Sequence, residues 1–232
     1  MDRIKAHIKG LTISSIFVLL PAFIGIFLWN ELPDKLPGHF GLNGQVDRYD
    51  PKWVIVFVWP LVMLLLHILC SAATIMSSKQ TLSDKVITAL FLIFPVISNA
   101  AIYMSYASAL NTSLSVNNIS AIMIGFIGLL MVILGNYVPK VKPNHVMGVR
   151  IPTTYESKRN WNYTNRIGAW CLVADGIIVV LASLISFITG DSLLLLTVLV
   201  VTTMVASLVP IFASINYKNK HKDEADYYDK VD

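Results

Sequence analysis

Six stretches of this chain are long, apolar and almost free of charge: residues 11–29, 53–76, 86–110, 119–138, 168–189 and 193–215. About 20 helical residues cross the roughly 30 Å hydrocarbon core of a bilayer, so each is long enough to span it. In lipid no water satisfies backbone N–H and C=O groups, and a spanning segment must be a helix or belong to a closed barrel. Barrel strands alternate polar and apolar residues, and none of the six stretches does. The sequence therefore predicts an all-α integral membrane protein of six transmembrane helices. Its composition agrees: 55% of the 232 residues are hydrophobic and 14% charged, more apolar surface than one soluble core of this size hides.

Basic residues orient the spans, because short cytoplasmic loops retain Lys and Arg. Fifteen of the eighteen fall on one side when alternate segments are grouped. Arg3, Lys5 and Lys9 precede the first span, Lys79 and Lys85 lie in the second loop, and Lys218, Lys220, Lys222 and Lys230 in the tail. The fourth loop holds six: Lys140, Lys142, Arg150, Lys158, Arg159 and Arg166. Lys35, Arg48 and Lys52, on the other side, complete the set. Both termini are expected in the cytoplasm and the first loop outside. The net charge of +4 is thus read as a membrane-orienting charge, with no nucleic-acid partner. The first span is expected to stay uncleaved, since it ends Phe27-Leu28-Trp29 without a small-x-small site. Trp29, Trp53, Trp170 and Tyr137 are placed at span ends among head groups. Pro21, Pro60, Pro95 and Pro210 fall inside spans and are read as kinks.

Two loops are richer than connectors. In 30–52, Asn43-Gly44 between part-apolar stretches is a two-residue hairpin signal, because both positions of that turn need positive φ. Asp50-Pro51 then reads as an N-cap and first-turn proline of the second helix. The fourth loop, 139–167, is long, aromatic and basic. The expectation there is an extended approach, a turn at Gly148, and an interfacial helix starting near Thr154, with Trp161 and Tyr163 at the membrane surface and its cations on anionic lipid. A plain positive-inside anchor is the alternative.

Inside the spans, Asp175 is the only carboxylate well away from an end. A lone charge is costly there, and His67 stands at a depth where it would pair with Asp175 if their helices touch, with Asn99 and Asn136 joining. Such a network is interhelical glue or a proton relay; the latter reading would make the chain a small proton-coupled transporter or exporter. No His-Glu-x-x-His, Gly-x-Ser-x-Gly or phosphate-cradling glycine motif occurs, so no catalytic residue, metal or cofactor is assigned. Cys70 and Cys171 each lie in apolar runs and are not placed as an extracellular disulfide.

Asn136, the run Val149-Arg150-Ile151-Pro152-Thr153-Thr154, Trp161 and Thr164-Asn165 together resemble the signature of the SdpI-like immunity family, membrane proteins that protect bacteria from a secreted peptide toxin. Upstream, Pro37, His39-Phe40, Gly44 and Asp47 resemble the extracellular motif of a domain that precedes that signature in many members. The family commonly carries tryptophan where Thr153 stands and histidine where Asn165 stands. The resemblance implies a shared intracellular site of Asn136, Gly148, Arg150, Pro152, Thr154, Trp161 and Asn165. It implies a peptide toxin as partner and, in the best-known case, capture of a cytoplasmic repressor. The chain then divides into 1–76, two spans with the extracellular loop; 77–118, the third span and its flanks; 119–215, the SdpI-like region; and 216–232, a disordered cytoplasmic tail.

Overall fold

The computed structural model describes residues 2–41, 45–77, 82–110 and 116–221. The Asn43-Gly44 turn, Gly44 of the upstream motif and residues 222–232 of the tail lie outside them. Helix α1 (Asp2–Phe27) leads to strands β1 (Lys35–Phe40) and β2 (Val46–Pro51), then a π-helical turn (Val54–Val58) and α2 (Trp59–Ser77). There follow α3 (Asp84–Leu90), α4 (Ile93–Ala109), α5 (Val116–Gly135), a 3₁₀ turn (Val138–Lys140), the four-residue α6 (Pro152–Tyr155), α7 (Lys158–Thr189) and α8 (Ser192–Lys220). Six helical segments among the described residues are long and apolar enough to cross a membrane, as expected.

Five local expectations are corrected. The third span is two helices: Pro95 has no N–H for the Phe91 carbonyl, and the chain turns at Phe91–Leu92 before α4 resumes. The fifth span begins ten residues earlier than its apolar run, at Lys158. Ser157 caps it by accepting from Asn160 N–H, and its 32 residues make a rod about 48 Å long. No separate interfacial helix starts at Thr154, and Trp161 is wholly buried within α7 instead of resting at a surface. Asp50 and Pro51 close β2 and do not cap a helix; Asp50 pairs with Arg48 at 3.1 Å. The tail's first residues, through Lys220, are the last turn of α8, tied by Lys218 to Glu156 at 2.7 Å.

The helices form two groups. In the first, α1, α2 and α4 meet around Leu32, Leu36, Ile55, Val56, Ile102 and Tyr106, with the hairpin laid over their ends. In the second, α5, α7 and α8 pack closely. Gly128 and Gly176 face each other so tightly that a Cβ on either would come within 2.8 Å or 2.6 Å of the other's carbonyl. Small residues suit such crossings, because in lipid helices associate through close packing and not through expulsion of water. The long loop after α5 joins the groups: Val138, Val141 and Met147 pack with Ile75 of α2, with Leu82, Val86, Ile87 and Phe91 in and beside α3, and with Ala169 of α7. Three spans separate the hairpin from this loop, so the two lie at opposite ends of the bundle.

Candidate functional site

The loop end is built from neutral, buried hydrogen bonds. Asn144 folds the chain into a tight turn: its Oδ1 accepts from Val146 N–H (2.7 Å) and Met147 N–H (2.9 Å), while Nδ2 donates to the Lys142 carbonyl (2.7 Å). Gly148 follows at φ +119°, a conformation that L side chains rarely adopt, and a Cβ there would stand 2.6 Å from Asn165 Oδ1. That oxygen is occupied, accepting from Val149 N–H at 2.7 Å, while Asn165 Nδ2 donates to the Trp161 carbonyl at 2.9 Å. Trp161 donates its indole N–H to the Val141 carbonyl at 2.8 Å. The loop is thereby clasped to α7 through both of its arms.

The signature residues are distributed around this clasp. Thr154, fully buried, donates to the Val149 carbonyl (3.0 Å) and receives Ile151 N–H (3.2 Å) just before Pro152 opens α6. Arg150 is exposed and donates to the His145 carbonyl. Tyr155 lies between the rings of His145 and Trp161, with centroids 5.6 and 5.5 Å away, and donates to the Asn144 carbonyl at 2.9 Å. Burial pushes its phenol above the ordinary range, and the Arg150 guanidinium offsets part of that rise. Asn136 is not brought in: it is exposed, its amide donating back to the Val132 carbonyl at 3.1 Å.

A second polar layer ties in α8 and was not anticipated. Asn160 donates to the carbonyls of Thr153 (2.9 Å) and Ser214 (3.2 Å), its Oδ1 receives Thr164 (2.9 Å), and Thr153 and Ser214 hydroxyls meet at 2.6 Å. The pair Pro143-Asn144 was a visible turn signal. Ser214 carried none, being one hydroxyl in an apolar run.

At the hairpin end, β1 and β2 pair antiparallel, Lys35 opposite Pro51 and Phe40 opposite Val46, with irregularities either side of His39. Between its strands the polar contacts lie toward the surface: Asp47 Oδ1 accepts from His39 Nδ1 at 2.7 Å, and Arg48 pairs with Asp50. Lys52 collects the free end of α1, donating to the carbonyls of Trp29 and Leu32 (both 3.2 Å) beneath a cation–π contact with Trp29. Ser105 on α4 donates to the Pro37 carbonyl at 2.6 Å and anchors β1. Pro37, His39, Phe40 and Asp47 are thus brought together on one hairpin. Between it and the helices lies a cavity of about 310 Å³.

The expected intramembrane pair does not form. His67 Nε2 is 2.8 Å from Ser14 Oγ, and its ring sits against Phe91 and Phe94 in the first group. Asp175 lies in the second, its Oδ1 accepting from Thr202 at 2.5 Å. Asn99 donates to the carbonyls of Phe17 and Pro95 and meets neither. Both ionisable groups therefore act as interhelical contacts within their own group. Among the described residues no three His, Cys, Asp or Glu side chains cluster as metal ligands.

Fold and sites together define a multi-pass helical membrane protein with a small hairpin domain at one end and a clasped polar loop at the other. Residues 16–64 match a domain of unknown function (DUF1648), and residues 140–213 match the SdpI/YfhL protein family, so each of the two ends falls within one matched segment. Over 211 residues, 90% of this chain and 95% of the relative, the sequence is 28% identical to the immunity protein SdpI of Bacillus subtilis (strain 168). The similarity to the SdpI/YfhL family thus lies in the second half of the chain, and the protein is a multi-pass protein of the bacterial cell membrane. No solved structure matches it.

Proposed function

We propose that this protein confers immunity to a secreted antimicrobial peptide, acting as a binding and signalling protein with no catalytic step. The observation that carries the reading is the end-to-end similarity to an immunity protein, which spans both the hairpin and the clasped loop. The excess of Lys and Arg at the loop end supports a topology with that end and both termini in the cytoplasm and the hairpin outside. An external domain and a cytoplasmic platform, joined by one bundle, suit a protein that meets a toxin on one side and reports on the other. The finer proposal is that the platform around Arg150 holds a soluble transcriptional repressor once toxin is present.

The test is expression of the chain in Bacillus subtilis lacking its own SdpI, followed by challenge with the toxin which that protein guards against and with peptide toxins from relatives of the source strain. Immunity predicts a higher inhibitory concentration for at least one peptide. Unchanged sensitivity to all of them contradicts it. Repressor capture predicts toxin-dependent movement of a regulator from cytosol to membrane, lost in Arg150→Ala. The alternative, a proton-coupled transporter, is favoured by one feature: Asp175 is buried with Oδ2 unpartnered among the described residues. That reading predicts substrate flux abolished by Asp175→Asn.

A further inference from the structure

The cavity at the hairpin end has the makings of a ligand site. Its roof is the β1 segment Pro37–Phe40, and its walls are Ile55, Trp59 and Met63 from the start of the second span and Ser98, Ile102, Met104 and Ser105 from α4. Volumes of some 300 Å³ and more with mostly apolar walls and few polar groups are typical of small-ligand sites. Two methionines line it, and their unbranched thioethers adapt to irregular apolar guests. The hydroxyl protons of Ser98 and Ser105 are committed to the carbonyls of Val18 and Pro37. Their oxygens remain acceptors. The Asp47 carboxylate accepts from His39, which fixes the ring proton on Nδ1 and leaves Nε2 as a further acceptor at the mouth. An apolar pocket fringed by acceptors suits a guest that brings N–H groups.

The charges around the mouth decide between guests. Asp34 lies 3.6 Å from Lys52 and Asp50 pairs with Arg48, so those charges offset each other, while Asp47, accepting from the neutral His39 ring, leaves negative charge at the rim. A rim of this kind offers no counter-charge to a phospholipid head group, whereas an uncharged polypeptide needs none.

We propose that this cavity binds an apolar, uncharged stretch of an extracellular peptide, whose side chains fill the space between β1 and α4 and whose backbone N–H groups meet His39 Nε2 and the serine oxygens. The proposal deepens the immunity reading and rests on it for the source of the peptide. The pocket itself is testable without any resistance phenotype.

The test uses the full chain in phospholipid nanodiscs, with Cys70 and Cys171 changed to Ser and a reporter thiol placed in the wall by Met63→Cys, with Met104→Cys as a second reporter. The probe is the capped tripeptide N-acetyl-Leu-Phe-Leu-amide, and the readout is the rate at which a small methanethiosulfonate reagent modifies the reporter. The rate should fall about tenfold when the tripeptide is present at roughly ten times its dissociation constant. Protection should be lost in Ala101→Leu, which narrows the cavity, and weakened in His39→Ala. Absence of protection at both reporters overturns the pocket. Equal protection by lysophosphatidylglycerol overturns the peptide in favour of lipid. If the chain gives no resistance in cells while the tripeptide still protects, the immunity reading fails and the pocket stands.

Discussion

The two ends of this molecule differ in the balance of polar contacts that hold them: buried neutral bonds predominate at the loop end and surface contacts between the strands of the hairpin. At the loop end, uncharged amides and hydroxyls of Asn144, Thr154, Asn160, Thr164 and Asn165 are buried and bonded to backbone or to one another, and the indole of Trp161 is enclosed. At the hairpin end, His39 and Asp47 are more than half exposed, and the β1 roof stands over a void. Buried neutral bonds fix one geometry, because breaking any of them strands a desolvated partner. Exposed ion pairs contribute little and yield easily. The contrast suits a rigid platform on one side and an adaptable receiver on the other.

The largest effect should come from Trp161→Ala. It removes a fully buried ring and the donor to Val141, at a cost of about 3–5 kcal/mol. Thermal unfolding in detergent should show a marked fall in Tm with early loss of the loop end. A change confined to activity would break the contrast. Next is Asn165→Ala, which orphans the Val149 N–H and should cost about 1–3 kcal/mol by the same measurement. Gly148→Ala should act in the same direction, since its φ of +119° and the adjacent Asn165 oxygen both oppose a Cβ.

A pH series sharpens the comparison. Tyr155 holds its proton more tightly in the folded protein, so its contribution is complete below 10.0, the ordinary phenol value, and is lost as pH rises through the folded value. Alkali should therefore loosen the loop end, and Tyr155→Phe should flatten that part of the pH dependence of Tm. The smallest effect belongs to Asp47→Asn, which breaks an exposed pair and should change stability by under about 1 kcal/mol. A larger loss there would erase the distinction between the ends.

Sequence patterning revealed the architecture because lipid leaves a chain few choices: an uncharged run of twenty residues must be helical, and six such runs were visible. It singled out the two segments, because the loop 139–167 is longer, more aromatic and more basic than a connector needs, although Trp161 read as a surface anchor and a plain positive-inside anchor remained the alternative. It did not reveal how α7 begins. The polar segment from Lys158 to Ile167 looked like a surface helix because its helical continuation into the apolar run shows only when Asn160, Trp161 and Thr164 are seen turned inward against α8 and the loop. Nor could depth alone predict partners. His67 and Asp175 are suitably deep, yet pairing depends on which helices touch, and Ser14 and Thr202 reached them first.

The central claim is that the hairpin and the clasped loop face opposite sides of the membrane, with the hairpin outside. Single cysteines at exposed positions of each, Lys35→Cys and Arg150→Cys in a background free of Cys70 and Cys171, test it directly with a membrane-impermeant maleimide. In intact cells residue 35 should label at once and residue 150 only after permeabilisation. Labelling of residue 150 from the medium in intact cells would contradict the account.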